Sequence, residues 1–236
     1  GKTTLMRMVN AMVTPTSGRV FVRGQDVASE DPVRLRRSIG YVLQEGGLFP
    51  HRSIADNIAT VPRLEGATKQ ASRERALELL TLVGLDREMA DRYPAQLSGG
   101  QRQRVGVARA LANRADILLM DEPFGALDPI VRAELQRELK EIQRALGTTI
   151  LFVTHDVDEA FTLGDQVAVL STGGHIEQVG TPTELLSSPA SPFVAEFVGA
   201  SRAARPVRVA GPGGLVVDDA GTPVGTLTRD EAGERP

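Results

Sequence analysis

The spacing of apolar residues along the chain predicts three helical regions. Apolar positions recur three or four residues apart in residues 1–13, and again from Val131 to Leu146, where charged residues occupy the opposite face. Residues 54–111 between them are also mainly helical in pattern, and Gly84 is a typical helix C-terminal stop within that stretch. The chain is therefore predicted to have a long helical middle with an amphipathic helix on each side.

Short apolar runs predict strands between these helices. Runs of four or five apolar residues are typical of strands buried on both faces of a parallel sheet, and they occupy residues 117–120, 149–153 and 166–170. Two further strands are predicted at residues 39–42 and at residues 19–23, the latter before a turn at Gly24. Strands that alternate with helices imply an α/β fold with a mostly parallel sheet.

Composition and charge narrow the classes of function. The 236 residues are 41% hydrophobic and carry a formal charge of −3, which suits one domain or one domain with an appendix. This near-neutral charge argues against a nucleic-acid partner, because such a partner needs a concentrated basic surface. Cysteine is absent, so disulfides and thiolate metal sites are excluded. No apolar run reaches the roughly 18 residues of a transmembrane helix.

The first four residues match the end of a phosphate-binding loop, G-x-x-x-x-G-K-[ST], and read Gly1-Lys2-Thr3-Thr4. They stand directly before a predicted helix, whose N-terminal N–H groups and dipole attract phosphate oxygens. In this interpretation Lys2 reaches the β- and γ-phosphates of a nucleotide, and Thr3 is a ligand of Mg²⁺. The alternative is an ordinary glycine followed by a solvated lysine.

An acidic pair, Asp121 and Glu122, follows the buried strand at residues 117–120. Ligands of open α/β sheets bind at the carboxyl ends of the strands, where this pair lies. We predict that Asp121 holds Mg²⁺ and that Glu122 is the general base that polarises an attacking water molecule. The alternative is an acidic pair in solvent at a strand end.

A second glycine-containing helix start reads Ser98-Gly99-Gly100-Gln101. Two glycines permit close approach of the backbone to a phosphate, and Ser98 adds a hydroxyl group. One γ-phosphate does not need two helix starts from the same fold, so this turn is predicted to serve a different site from that of Lys2. The alternative is a glycine turn that only begins an amphipathic helix.

These motifs, in this order, resemble those of ABC-transporter ATP-binding subunits. Residues 97–105 match the signature motif of that family, and residues 117–122 resemble its second nucleotide motif. Residues 126–128 resemble its D-loop, His155 its switch histidine and Gln44 its Q-loop glutamine. The resemblance extends over residues 1–199.

The resemblance implies a P-loop NTPase fold: an α/β domain over residues 1–199, with a mostly parallel core sheet and an antiparallel β edge. A helical signature subdomain is expected as an insertion at about residues 54–112. Compared with the family, the first strand and the front of the phosphate loop are missing, so we expect this truncated chain to bind ATP poorly or not at all and to be inactive, whereas the complete protein would be active. Residues 200–236 are predicted to be a linker or tail, in which residues 215–228 resemble one strand pair of a CBS module.

The resemblance also implies how ATP is held. Two ATPase subunits, as a homodimer or a pair, meet head to tail, and each ATP lies between the phosphate loop of one and the signature turn of the other. The turn at Ser98 would then serve the ATP of the partner subunit. The family assigns His155 to the γ-phosphate, where it orients the water with Glu122. The alternative is a surface histidine.

Three further residues take roles by resemblance. Gln44 would sense Mg²⁺ and move with the loop behind it; alternatively its amide is a cap or is solvated. Asp128 would lie at the dimer interface, or it is only the N-cap of a helix that starts at Pro129. Leu48 and Phe49 would contact the transmembrane permease with Gln44, unless this is a surface loop with a self-buried phenylalanine.

The stretch from Tyr41 to His51, continued at residues 57–64, looks like that of importers of glycine betaine, choline, carnitine or proline betaine. This implies permease subunits as partners, an extracytoplasmic solute-binding protein as an indirect partner, and a location at the cytoplasmic face of the plasma membrane. Alternatives are an importer of another solute such as a polyamine or an amino acid, a soluble ABC ATPase clamp, and an inert scaffold.

Overall fold

A computed structural model describes residues 1–125, 127–199, 207–209, 215–218 and 223–226. For Gln44, Glu45 and most of the last three ranges it describes the backbone alone. The chain divides into two compact units. The first comprises Gly1–Leu163 and Thr172–Gly174, and the second comprises Gly164–Ser171 and the described residues from His175 onward. The predicted boundary between residues 199 and 200 stays a prediction.

The helices begin at strong capping residues in most cases, with Asp, Ser or Thr accepting a backbone N–H of the first turn. Those of the first unit are α1 (Lys2–Val9), α2 (Pro32–Ser38), α3 (Ile54–Ile58), α4 (Thr60–Leu64), α5 (Lys69–Leu82), α6 (Gly99–Leu111), α7 (Pro129–Leu146) and α8 (Val157–Leu163). The second unit contains α9 (Pro182–Ser187) and α10 (Pro192–Phe197). Within the described helices, none combines the length and apolar character of a membrane span.

The strands form separate small sheets. The first unit has β1 (Phe21–Val22), β2 (Gln25–Asp26), β3 (Ile39–Val42), β4 (Ile117–Asp121) and β5 (Thr149–Val153). The second unit has β6 (Val167–Leu170), β7 (Ile176–Gly180), β8 (Val207–Val209), β9 (Leu215–Asp218) and β10 (Pro223–Thr226). Strands β3, β4 and β5 pair in parallel in that order, whereas β1–β2, β6–β7 and β8–β9–β10 are antiparallel. The predicted α/β fold is confirmed.

The parallel sheet aligns the three strand ends that precede the candidate residues. Val42 pairs with Met120, and Asp121 pairs with Val153, so the carboxyl ends of β3, β4 and β5 lie at one edge. Strand β4 is buried on both faces, as predicted: Leu119 joins a cluster with Met6 of α1, while its neighbours join a larger cluster with helices α3, α5, α6 and α7. The core therefore fixes this sheet edge from both sides.

Some predicted elements differ in extent or partner. The first helix ends at Val9 rather than near Val13, because the Asn10 side chain accepts the N–H of Met12 and Ala11 adopts a left-handed φ of 55°. The strand predicted at residues 19–23 shortens to β1, which turns back through Arg23 and Gly24. Such a two-residue turn needs positive φ at both positions, and they have 52° and 77°.

Two runs predicted as buried strands are more exposed than expected. Strand β5 exposes Leu151 by 43%, and β6 buries only Val169 fully. Strand β6 also pairs antiparallel with β7, a strand that the sequence pattern did not predict. A short apolar run does not reveal which of its faces is covered, because covering elements come from elsewhere in the chain. The hairpin predicted near residues 215–228 is present as β9–β10, and β8 adds a third strand.

Gly40 of β3 lies against α6 so closely that we expect Gly40→Ala to destabilise the protein by about 1–3 kcal/mol. A Cβ atom there would collide with the Ala110 carbonyl oxygen and with the Leu118 side chain. Urea unfolding of the variant measures the loss, and Gly18→Ala is not a suitable control because φ at Gly18 is 81°. Ala28→Gly, in an exposed surface turn, controls for a simple change between glycine and alanine. An unchanged midpoint in Gly40→Ala would contradict this close contact.

Candidate functional site

Helix α1 and strand β4 bring the first two motifs together. The Thr3 hydroxyl donates a hydrogen bond to Asp121 Oδ1 at 3.0 Å, although the two residues are 118 positions apart in sequence. The first intrahelical bond of α1 joins the N–H of Leu5 to the carbonyl of Gly1, so the N–H groups of residues 2–4 precede the hydrogen-bonded ladder. This helix start can therefore offer N–H donors, a hydroxyl and a carboxylate to one ligand.

The oxygen pair of Thr3 and Asp121 suits a hard cation. Mg²⁺ keeps several water ligands and is usually held by one or two protein oxygens together with substrate phosphates. Within the residues that the structure describes, no group of three or more His, Cys, Asp or Glu side chains could hold a metal. The pair therefore fits an ion shared with a phosphate better than a cage made of protein alone. The side chain of Gln44, the third predicted ligand, lies outside the described part of the chain.

The second pair at this sheet edge is Glu122 and His155. Glu122 Oε2 lies 3.4 Å from His155 Nδ1, and the Glu122 N–H donates to the Val153 carbonyl at 2.9 Å. Glu122 adopts a left-handed φ of 45°, which is uncommon for a residue with a side chain and is often found at functional sites. The His155 side chain is 67% exposed, so the imidazole is open to a ligand.

Arg132 contacts the residue that follows His155, a contact that the sequence pattern did not reveal. Arg132 of α7 approaches Asp156 at 3.4 Å and also donates to the carbonyl of Leu127 at 3.2 Å. Asp156 in turn accepts the N–H groups of residues 158 and 159 and so caps α8. Arg132 thus joins the turn before α7 to the residue that follows His155. Helical spacing had placed Arg132 only on an outer face.

The signature turn is a well-formed helix start. Ser98 Oγ accepts the N–H of Gln101 at 3.2 Å, and Gln101 Oε1 accepts the N–H of Ser98 at 2.9 Å, which is a reciprocal capping box. Gly99 is exposed, whereas Gly100 is buried with no room for a Cβ atom, which would lie 2.8 Å from Val131 Cγ1. Packing against α7 therefore requires glycine at position 100, whereas Gly99 leaves the turn accessible from solvent.

Within the described residues, no hydrogen bond joins residues 98–101 to residues 1–4. The two helix starts are thus separate features of this chain. Asp128 accepts the N–H groups of Ile130 and Val131 at 3.2 Å and 3.1 Å, so the N-cap interpretation is confirmed, and its side chain is exposed. The role of Asp128 at a dimer interface stays a prediction.

The loop after β3 presents an apolar surface. Leu48 is half-buried against the larger core cluster, while Phe49 is 40% exposed and therefore not self-buried. Phe49 lies 4.9 Å from the Arg52 guanidinium, a cation–π contact. An open groove of about 450 Å³ adjoins it and is lined by Phe49, Arg52, Asp56, Thr60, Arg63 and Leu64.

Comparison with known proteins gives a consistent picture. Residues 1–125 match the family model described as ABC transporter. The chain is 55% identical over 202 residues to the glycine betaine/carnitine/choline transport ATP-binding protein OpuCA of Bacillus subtilis (strain 168), covering 86% of this chain and 53% of that protein. It is 52% identical over 213 residues to the sulfate/thiosulfate import ATP-binding protein CysA of Brucella melitensis, covering 89% and 58%.

A solved structure is also similar. The dimeric ATP-binding cassette MJ0796, in a post-hydrolysis state bound to ADP and Pi, is 33% identical with a TM-score of 0.68, covering 77% of this chain and 80% of that one. The chain spans about half the length of these curated transport relatives.

Proposed function

Because this chain belongs to the ABC transporter family, we propose that the protein that carries it is the ATP-binding subunit of an importer and hydrolyses ATP to drive solute uptake. The observation that carries this proposal is the meeting of two pairs at one sheet edge: Thr3 with Asp121 at 3.0 Å, and Glu122 with His155 at 3.4 Å. Together they provide oxygen ligands for a cation and a base beside an open imidazole.

The proposed reaction is the transfer of the γ-phosphoryl group of ATP to water. Lys2 and the N–H groups at the start of α1 bind the phosphates, and Thr3 and Asp121 hold Mg²⁺. When bound, Mg²⁺ offsets negative charge on the β- and γ-phosphate oxygens. The Glu122 carboxylate takes a proton from the attacking water as its oxygen bonds to the γ-phosphorus, and the bond to the ADP oxygen breaks. His155 contacts the γ-phosphate and orients that water.

We propose that the signature turn closes the site of a second subunit. The Ser98 hydroxyl accepts a hydrogen bond within its own helix start, so its proton remains available to a phosphate oxygen from outside. Exposed Gly99 permits close approach of that phosphate to the backbone. The dimeric state of the related MJ0796 cassette supports a paired arrangement. We propose that Asp128 lies near the interface of that pair.

The groove beside Phe49 is the proposed contact with the permease. Its apolar side chains, Phe49 and Leu64, are 40% and 57% exposed, which suits the apolar face of a short helix. Arg52, Arg63 and Asp56 line the same groove and would pair with polar residues at the ends of that helix. The occupant we propose is a cytoplasmic helix of a transmembrane permease, which would hold the subunit at the inner face of the membrane.

We propose a quaternary-amine osmoprotectant as the solute, because the transport protein OpuCA is named for glycine betaine, carnitine and choline. The test uses the protein that carries this chain, with its permease and solute-binding protein, in proteoliposomes. Glycine betaine or choline should stimulate ATP hydrolysis severalfold, while spermidine and sulfate should not. If only sulfate or spermidine stimulates ATP hydrolysis, the proposed solute is wrong and the stimulating compound takes its place. A rate of ATP hydrolysis that is the same with and without the permease would support a soluble ABC ATPase clamp instead.

A further inference from the structure

Helices α7 and α8 are joined by polar contacts at regular spacing. The donors lie four residues apart on α7, and their partners lie three residues apart at the start of α8 and along it, which is about one helical turn in each case. We call these contacts the α7–α8 seam. The distances are 3.4 Å for Arg132 and Asp156, 3.1 Å for Gln136 Nε2 and Glu159 Oε1, and 2.8 Å for Lys140 Nζ and the Thr162 carbonyl oxygen.

The middle contact of the α7–α8 seam is buried. Glu159 is only 5% exposed, and among the described residues the only hydrogen bond to its carboxylate comes from Gln136. A buried carboxylate is costly unless hydrogen bonds or an opposite charge compensate for the water that it has lost. Glu159 therefore depends on the Gln136 amide to stay inside the protein.

The start of α8 fixes the turn that carries His155. Only three residues, 154–156, join the end of β5 to the start of α8. Asp156, the last of them, accepts the N–H groups of residues 158 and 159 at 3.0 and 3.2 Å and so belongs to the first turn of the helix. Because this connection is so short, a tilt of α8 moves His155 relative to Glu122.

We propose that Gln136 is a positioning residue for His155. By holding Glu159 inside the protein, Gln136 fixes the tilt of α8 and thereby the 3.4 Å separation of His155 Nδ1 from Glu122 Oε2. When the amide is lost, Glu159 turns towards water and takes the start of α8 with it. This inference rests on the proposed function, in which His155 orients the attacking water. Gln136 acts only through α8.

Steady-state kinetics of the intact protein that carries this chain test the positioning role. Gln136→Ala should lower kcat for ATP by about 10- to 100-fold, because a misplacement of about 1 Å at a reacting centre can cost about 100-fold. The KM should change less than about twofold, because the phosphate-binding residues lie on other elements.

The matched control is Gln143→Ala. Gln143 is another half-buried glutamine of α7, and it donates to the Thr148 carbonyl at 3.2 Å. Its substitution removes a comparable hydrogen bond but leaves the α7–α8 seam intact, so this variant should hydrolyse ATP at the normal rate.

Two companion variants extend the kinetic test. Glu159→Gln, added to Gln136→Ala, leaves no buried charge without a partner, so kcat should recover to within about threefold of the wild type. Gln136→Asn keeps the amide on a side chain that is one methylene shorter, and it serves as the test if Gln136→Ala does not fold. Its kcat should fall by at least about threefold.

The His155 ring provides a readout that needs no nucleotide. Its C–H resonance in NMR spectra is identified by its loss in His155→Ala. Without any ligand, this resonance should shift in Gln136→Ala and stay in place in Gln143→Ala, because only the first substitution moves the ring relative to Glu122. If Gln136 contributed to stability alone, both variants would lower the urea midpoint and neither would shift the resonance.

The outcomes distinguish the two proposals. A His155 resonance that is unchanged in the folded Gln136 variants, or a kcat within about twofold of the wild type, would overturn the positioning role and leave the proposed function intact. A double variant as slow as Gln136→Ala would do the same. A wild-type protein that does not hydrolyse ATP would overturn the proposed function, and this inference with it.

Discussion

Glu122→Gln is expected to lower the rate of ATP hydrolysis by about 10²- to 10⁴-fold, the usual loss when a general base is removed. The amide keeps the size of the side chain but cannot accept the proton of the attacking water. Glu122 is the carboxylate 3.4 Å from His155 at the sheet edge, so no change in the hydrogen-bonded pair of Thr3 and Asp121 is expected. Phosphate release by the intact protein that carries this chain, under saturating Mg²⁺ and ATP, measures the rate.

The same variant should bind ATP with unchanged affinity and remain dimeric in its presence, because the bound nucleotide is no longer consumed. Size-exclusion chromatography with and without ATP detects that dimer. Glu141→Gln, an exposed glutamate of α7, is the matched control and should hydrolyse ATP at the normal rate. A rate within about twofold of the wild type in Glu122→Gln would refute the assignment of the base.

Asn57→Ala is expected to destabilise the protein by about 2–6 kcal/mol, the sum of two backbone groups left without partners at about 1–3 kcal/mol each. Asn57 is 0% exposed. Its carboxamide accepts the N–H of Phe49 at 2.7 Å and donates to the carbonyls of Phe49, Arg52 and Ser53 at 3.1, 3.1 and 2.9 Å. Alanine supplies none of these bonds, so the segment between β3 and α3 loses the side chain that holds its backbone by hydrogen bonds.

Urea unfolding of the purified protein measures this loss. Asn113→Ala provides the comparison, because Asn113 donates only one described hydrogen bond, to the Arg37 carbonyl at 3.1 Å, and is half-buried. Its expected cost is about 1 kcal/mol. Equal costs for the two substitutions would show that the 49–53 segment does not depend on Asn57.

Much of the fold follows from local pattern. The apolar runs at residues 39–42 and 117–120, separated by helical stretches, predicted parallel strands β3 and β4, and both strands are present. Asp121 was predicted at the carboxyl end of its strand, where it lies, whereas His155 was assigned by resemblance to the family. Their distances could not be predicted, because these depend on how α1 and β5 pack on the sheet.

Contacts between residues that are far apart in the sequence, or hidden within a helix, were not predicted. Arg109 reaches Gly46 and Gly47, 63 and 62 residues away, and its position on an amphipathic helix carries no sign of that contact. Asn57 looks like an ordinary polar residue of a helix, although it is fully buried. In both cases the partners are backbone groups, which any residue type provides, so no pattern of side chains marks the contacts.

Ser98 and Asp128 illustrate a different obstacle. Both were predicted to serve a neighbouring subunit, and both cap helices within this chain, Ser98 at α6 and Asp128 at α7. A residue that caps a helix needs the same short oxygen-bearing side chain as one that contacts a ligand at a helix start. Residue type at these two positions therefore satisfies both requirements at once.

The left-handed backbone at Glu122 has a consequence for how this protein can evolve. Glycine or asparagine would occupy a φ of 45° at lower energy than glutamate, so selection for stability alone would remove the carboxylate. Thermostable relatives obtained by random mutagenesis without an activity screen should therefore accumulate inactive sequences at this position. In the role proposed for Glu122, thermal stability and ATP turnover therefore make opposite demands on this one residue.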